Sequence, residues 1–297
     1  MTLELKNVTK KFGDKIAVNQ LSMEVKAGQV MGLIGQNGAG KTTAFRMILD
    51  FIQADNGEIT WKNQKIDEKI KKKIGFLPEE RGLYQKMTVE DQILYFAELH
   101  GMKRLEARIS LSNWMERLEV VGKISDKVQA LSKGNAQKIQ FIATLIHEPE
   151  FLILDEPFTG LDPVNTELLM NEIRRLKNNG AAIIFSSHNM NGVETLSDDL
   201  TMLKAGKTVL QGDVQAIRES FGRTKVYLES PISDDEILQI PGILSLENER
   251  NGRMISLENE AVGREIFTKV SQNGYVQAFM QTAPTLDEIF RKEVEND

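Results

Sequence analysis

Hydrophobic and polar positions follow two different periods along this chain. Met1-Thr2-Leu3-Glu4-Leu5-Lys6 alternates residue by residue, the period of a strand with one buried face. Residues 1 to about 30 therefore read as short strands, with turns at Gly13-Asp14 and Gly28. Val30-Met31-Gly32-Leu33-Ile34, Phe151-Leu152-Ile153-Leu154 and Ala181-Ala182-Ile183-Ile184-Phe185 are apolar throughout. Strands covered on both faces have this pattern, and with helices between them they predict a parallel sheet. Helical spacing follows the first run: Ala44, Met47, Ile48 and Phe51 fall at i, i+3, i+4 and i+7. Gly57-Glu58-Ile59-Thr60-Trp61 reads as a further strand. Residues 88 to about 125 are helical in composition, with long polar side chains and spaced Leu, Ile, Phe and Trp.

The character shifts after Gly212. Lys225-Val226-Tyr227-Leu228-Glu229, Met254-Ile255-Ser256-Leu257-Glu258 and Tyr275-Val276-Gln277-Ala278-Phe279 read as strands. Residues 262–273 read as a helix with Ile266, Phe267 and Val270 on one face and Gly274 as its stop. Thr285-Leu286-Asp287-Glu288 is a capping box before Ile289-Phe290. The expected division is residues 1–212 and a small α+β domain, 213–297. No tandem repeat or low-complexity tract interrupts either part.

Composition narrows the chemistry. With 297 residues and 41% hydrophobic content the chain can bury a real core. Its net charge of −6 supplies no global basic field, so no nucleic-acid partner is expected. The basic cluster Lys69, Lys71, Lys72 and Lys73 sits beside Asp67 and Glu68 and reads as solvated surface. The absence of cysteine excludes disulfides, thiolate zinc sites and Cys nucleophiles. The three histidines, His100, His147 and His188, stand far apart in sequence. No run approaches 18 apolar residues, so any membrane crossing is expected of another polypeptide.

Gly35-Gln36-Asn37-Gly38-Ala39-Gly40-Lys41-Thr42 joins an apolar strand to a helix, the context a P-loop needs. Glycines let successive backbone N–H groups converge on phosphate oxygens, and the helix N-terminus adds unpaired N–H groups and its positive dipole end. Lys41 would reach the β- and γ-phosphates, and the Thr42 hydroxyl would ligate Mg²⁺. Asp155-Glu156 ends a second apolar strand. Asp155 then suits the Mg²⁺ shell and Glu156 is placed to polarise an attacking water. A nucleoside triphosphate and Mg²⁺ are the expected ligands.

These motifs, with Leu131-Ser132-Lys133-Gly134-Asn135 opening a helix upstream of the second strand, resemble the ATP-binding subunit of an ABC transporter. The resemblance covers residues 2 to about 212. It implies an α/β P-loop ABC ATPase domain with a helical subdomain, followed by the small α+β domain. It places Phe12 as the aromatic that stacks on adenine and Thr43 at the α-phosphate. Leu131 to Asn135 takes the place of the signature that completes the ATP site of a second subunit. Leu161-Asp162 resembles the D-loop, and His188 the switch histidine at the γ-phosphate. The chain departs from the family at Lys133 and Asn135 of the signature. It departs again at Glu79, which follows Leu77-Pro78 where the family carries Gln; a carboxylate there still suits the Mg²⁺ shell. These departures bear on the ATPase rate, not on the fold.

Glu79-Glu80-Arg81-Gly82-Leu83-Tyr84 and the C-terminal Thr285–Phe290 run resemble the drug-resistance and sodium-extrusion (Nat-type) branch. The resemblance implies an exporter subunit at the cytoplasmic face of the cell membrane. Its partners would be a second copy or paralogue and a multi-spanning permease that chooses the cargo. Na⁺ is the cargo of the Nat type; antibiotics, peptides and lipids are the alternatives. A soluble ABC ATPase acting on ribosomes or DNA usually carries two cassettes, a long coiled-coil insert or zinc-binding cysteines, and this chain has none of them. A non-hydrolysing cassette is disfavoured by the presence of Lys41, Asp155, Glu156 and His188.

Overall fold

The computed structural model describes residues 2–80, 82–272 and 274–295. The chain forms two compact units, Met1–Gln211 and Gly212–Asp297.

The first unit holds two sheets. The N-terminal alternation becomes two long antiparallel strands, Thr2–Phe12 and Lys15–Lys26, turning at Gly13-Asp14. Asn56–Trp61 and Gln64–Lys65 extend them to a four-stranded antiparallel sheet. The second sheet has six strands in the order Lys207–Asp213, Asp199–Lys204, Val30–Gly35, Ala182–Ser186, Phe151–Asp155, Ile74–Leu77. The pairings of its central strands are parallel. Every residue of Val30–Gly35, Phe151–Asp155 and Ala182–Ser186 is buried, which is why those runs are apolar without alternation. One core joins the two sheets, with Leu3, Leu5, Phe45 and Ile184 among its members and Trp61 stacked on Phe151 at 5.2 Å.

Helix Lys41–Ile48 is shorter than its periodicity predicts. Asp50 takes a left-handed φ of 58°, the Phe51 N–H bonds the Arg46 carbonyl at 2.8 Å and the Asp50 N–H bonds Met47 at 3.0 Å. This is the double hydrogen bond of a Schellman stop, and it turns Phe51 out of the helix to 63% exposure. The helical stretch resolves into Val89–Leu99 and Arg104–Arg117, broken by Gly101 at φ 88°. In a cleft of about 410 Å³ lined by Phe51, Phe96 and Leu83, His100 and His147 stack ring on ring at 3.6 Å. Burial, then the neighbouring His100, lowers the pKa of His147 to about 3.

Between a first helix, Val214–Ser220, and a last, Leu286–Glu295, the second unit runs strand, helix, strand, strand, helix, strand: Lys225–Glu229, Asp234–Leu238, Ile243–Asn248, Arg253–Leu257, Ala261–Gln272, Ala278–Thr282. The sheet order, Ile243–Asn248, Arg253–Leu257, Lys225–Glu229, Ala278–Thr282, is antiparallel throughout and gives the ferredoxin-like arrangement. Val226, Leu228, Ile255 and Leu257 alternate onto a core completed by Val262, Ile266 and Val270. Phe267 lies beside that helix face, not on it: it is 49% exposed and meets Phe279 edge to face. The last strand begins at Ala278, three residues later than the apolar pattern predicts. Asn273, counted in the expected helix, lies outside the described residues. The predicted capping box forms, with the Thr285 N–H donating to Glu288 and the Glu288 N–H to Thr285 Oγ1 at 3.3 Å.

Candidate nucleotide site

Parallel strands of one sheet end on the same edge, so residues far apart in sequence meet at their carboxyl ends. Val30–Gly35 delivers the glycine loop there, Phe151–Asp155 delivers Asp155-Glu156, and Ala182–Ser186 delivers Ser186 to His188. Gly35 has φ 151°, and a Cβ on it would lie 2.3 Å from the Leu203 carbonyl oxygen. Gly40 has φ 110°, and its Cβ would lie 2.5 Å from the Ala17 carbonyl oxygen. Both positions require glycine because backbone from neighbouring strands presses on the loop. Gly40 is also the N-cap of helix Lys41–Ile48, and no side chain caps that helix. Its first amides are thus left without a side-chain acceptor, the condition an anion site needs.

Lys41 is buried and its Nζ donates to the Gly35 and Gln36 carbonyls at 2.7 and 3.2 Å. Burial lowers its pKa, opposed by the nearby charges of Glu156, Asp155 and Glu79. Asp155 uses its two oxygens differently. Oδ1 accepts the Ser186 hydroxyl at 2.5 Å, whereas Oδ2 faces the Thr42 hydroxyl at 3.5 Å. Those two oxygens, a carboxylate and a hydroxyl, are the hard donors that suit Mg²⁺ shared with phosphates.

Glu156 is 7% exposed and its φ is 52°, the left-handed region. Its N–H bonds Ser186 Oγ at 3.1 Å, and its Oε2 accepts the His188 N–H at 3.3 Å. Oε1 lies 3.4 Å from His188 Nε2 and is buried without a hydrogen-bond donor. Burial raises the Glu156 pKa, opposed first by His188 and then by Lys41. A buried, partly unsatisfied carboxylate facing a lysine is the chemistry of a proton acceptor.

A cavity of about 490 Å³ gathers these groups. Asn37, Gly38, Gly40, Lys41, Thr42 and Thr43 line it. Glu79, Asp155, Glu156 and His188 also line it, as does Phe12, 52% exposed. Gly35, Gln36 and Ala39 shape the loop without lining the cavity. Lys15 and Ala17 also line it, and sequence reasoning passed over both. The signal for Lys15 was the short turn: Phe12 and Lys15 are register partners across it and share a face. Ser186 was visible as the residue ending an apolar strand, but nothing local marked its two carboxylate-side bonds.

Leu131–Asn135 and Asp162 do not line this cavity. Ser132 caps helix Lys133–Leu145, its hydroxyl accepting the Asn135 N–H at 3.3 Å. The Asn135 carboxamide accepts the Val121 N–H at 3.0 Å. Asp162 caps helix Pro163–Asn178, and the Asn165 N–H and side chain hold its pKa below the usual carboxylate range. The two motifs are neighbours, since a Cβ on Gly134 would lie 3.8 Å from the Leu161 side chain. From the same signature helix, Gln140 donates to the Pro78 carbonyl at 3.1 Å and Gln137 to the Pro157 carbonyl at 3.1 Å. Arg81 of the Glu79–Tyr84 run lies outside the described residues.

Residues 18–159 match the family described as ABC transporter, and residues 212–294 match the C-terminal domain of DrrA1-3-like ATP-binding proteins. The chain is 45% identical over 295 residues to the uncharacterized ABC transporter ATP-binding protein YhaQ of Bacillus subtilis (strain 168), covering 98% of each. It is 34% identical over 226 residues to the ABC transporter ATP-binding protein NatA of the same organism, covering 73% of this chain and 92% of NatA. A solved structure of the ATP binding subunit of an ABC transporter superposes with TM-score 0.70 at 27% identity, over 74% of this chain and 93% of the other. The chain belongs to the ABC transporter ATP-binding proteins, in their drug-resistance and Nat-type exporter branch. Its first unit is an ABC ATPase domain. Among the described residues no helix is long and apolar enough to cross a membrane.

Proposed function

We propose that this protein hydrolyses MgATP at the cytoplasmic face of the membrane to drive export through a separate permease. The observation that carries the reading is the cavity in which Lys41, Thr42, Asp155, Glu156 and His188 meet. Phe12 stacks on adenine, the loop amides and Lys41 hold the β- and γ-phosphates, and Thr43 reaches the α-phosphate. Thr42, Asp155 and Glu79 would hold Mg²⁺. When bound, the metal neutralises charge on the β- and γ-oxygens. Glu156 accepts the proton of the attacking water, and His188 contacts the γ-phosphate and orients the base.

The site is completed by a second copy or a paralogue. Ser132 and the start of its helix offer N–H groups to a γ-phosphate across the pair, with Leu131, Lys133, Gly134 and Asn135 shaping that surface and Asp162 beside it. Two bound nucleotides hold the subunits together, and hydrolysis releases them. We assign Na⁺ as cargo from the Nat-type resemblance. The test is copurification of a multi-spanning membrane protein, followed by ATP-dependent ²²Na⁺ flux in vesicles. An active ATPase with which no membrane protein copurifies would sink the transport reading.

Glu79 ties the switch loop to nucleotide state in this scheme. Its loop is held by Gln140 through the Pro78 and Glu80 carbonyls and continues into Leu83-Tyr84. We expect Glu79→Ala to lower permease-coupled ATPase more than ATP affinity. Glu79→Gln should retain substantial activity, since an amide still offers an oxygen. Parental Mg²⁺ dependence and coupled turnover in Glu79→Ala would leave the residue a surface charge.

The second unit carries no nucleotide motif and builds its own core. We assign it a role in stabilising or regulating the pair. A chain cut after Asp213, which keeps strand Lys207–Asp213 whole, should bind ATP as the full chain does. Titration with a fluorescent ATP analogue measures this; a folded truncation without affinity would place part of the site in the tail.

A further inference from the structure

The hydroxyl of Ser186 is fully buried at the end of strand Ala182–Ser186, directly across from Asp155 in the parallel register. It donates to Asp155 Oδ1 at 2.5 Å and accepts the Glu156 N–H at 3.1 Å. One side chain thus touches both acidic residues of the site, from a different strand. We propose that Ser186 is a positioning residue that orients Asp155 toward the metal and fixes the backbone of Glu156 for proton acceptance. The inference rests on the MgATP reading of the site.

A carboxylate with both oxygens free can rotate about χ2, presenting either oxygen or an edge. The Ser186 bond commits Oδ1 and leaves Oδ2 facing the Thr42 hydroxyl, so the two metal-side oxygens are set before ligand arrives. Residues that hydrogen-bond a metal ligand in this way typically matter tenfold to a hundredfold for affinity or activity. Glu156 takes a left-handed φ that persists only where surrounding bonds hold it, and the residue is buried. Ser186 Oγ supplies the acceptor that this amide lacks in the ladder. The hydroxyl has one proton and two lone pairs, so it can give to Asp155 and take from Glu156 at the same time. Removing the hydroxyl takes away a bond from each partner at a buried position, where an unmet polar group is costly.

The test compares the parent with Ser186→Ala and Ser186→Thr in two readouts. The first is equilibrium ATP affinity with Mg²⁺ and with EDTA; the second is steady-state kcat and KM. Ser186→Ala is expected to weaken ATP binding by about tenfold or more with Mg²⁺ while leaving the EDTA value near the parent. It is also expected to lower kcat by about tenfold to a hundredfold beyond any change in KM. Ser186→Thr keeps the hydroxyl and should recover most of both. Ser186→Ala with parental Mg²⁺ dependence and kcat overturns the proposal. So do Ala and Thr variants that are equally impaired, because volume and not the hydroxyl then matters. A parent protein whose ATP binding ignores Mg²⁺ overturns the MgATP reading itself, and the proposal with it. The parent curve thus separates the two failures.

Discussion

Glu156→Gln is expected to bind ATP with near-parental affinity and to hydrolyse it about 10²–10⁴-fold more slowly. The substitution keeps the shape of the side chain and its acceptor for the His188 N–H, but removes proton acceptance at the oxygen left without a donor. Nucleotide then persists, and the variant should accumulate as an ATP-bound dimer visible by size in the presence of MgATP. A pH effect accompanies this. Burial raises the Glu156 pKa, so the ionised base is lost as pH falls through a value above the ordinary carboxylate range. The acid limb of the parent kcat/KM profile should lie correspondingly high, and Glu156→Gln should lack it. Near-parental turnover in the variant would assign the base elsewhere.

Gly40→Ala is expected to abolish measurable ATP binding, a loss of at least a hundredfold. Two costs combine. The left-handed φ of 110° disfavours any Cβ, and that Cβ would approach the Ala17 carbonyl oxygen to 2.5 Å. Strain of this kind costs on the order of 1–3 kcal/mol before any clash is counted. Relief requires the loop to leave the Lys15–Lys26 strand, carrying the helix N-terminus and Lys41 with it. Gly38→Ala is the matched comparison, because Gly38 also has positive φ, 81°, but nothing lies within 4 Å of its Cβ position. Its loss should stay near tenfold. Equal affinities for the two variants, measured by titration, would refute the argument from close approach.

Much of the fold was legible because local physics carried it. Uninterrupted apolar runs marked the buried parallel strands, and the alternation after Gly212 marked strands with one covered face. Helix lengths were less legible. Phe51 continued the helical period, yet the double hydrogen bond at Arg46 and Met47 ended the helix before it. Phe267 misled for a related reason: adjacent residues on a helix diverge by about 100°, so it cannot share the buried face fully with Ile266.

The sequence by itself determined which chemistry is present. The glycine loop, its lysine, two acidic residues after an apolar strand and a histidine after another are all local patterns, set by what phosphate binding demands of neighbouring residues. Only the tertiary structure decided how they meet. Pairing of Phe151–Asp155 with Ala182–Ser186 sets Asp155 opposite Ser186, and the strand hairpin turns Lys15 to the face of Phe12. It also set the signature helix under the Glu79 loop through Gln140, and away from the cavity in this chain. Register between strands about thirty residues apart depends on the packing of whole layers. A hydroxyl that serves two carboxylate residues across that register therefore leaves no mark in either segment's own pattern.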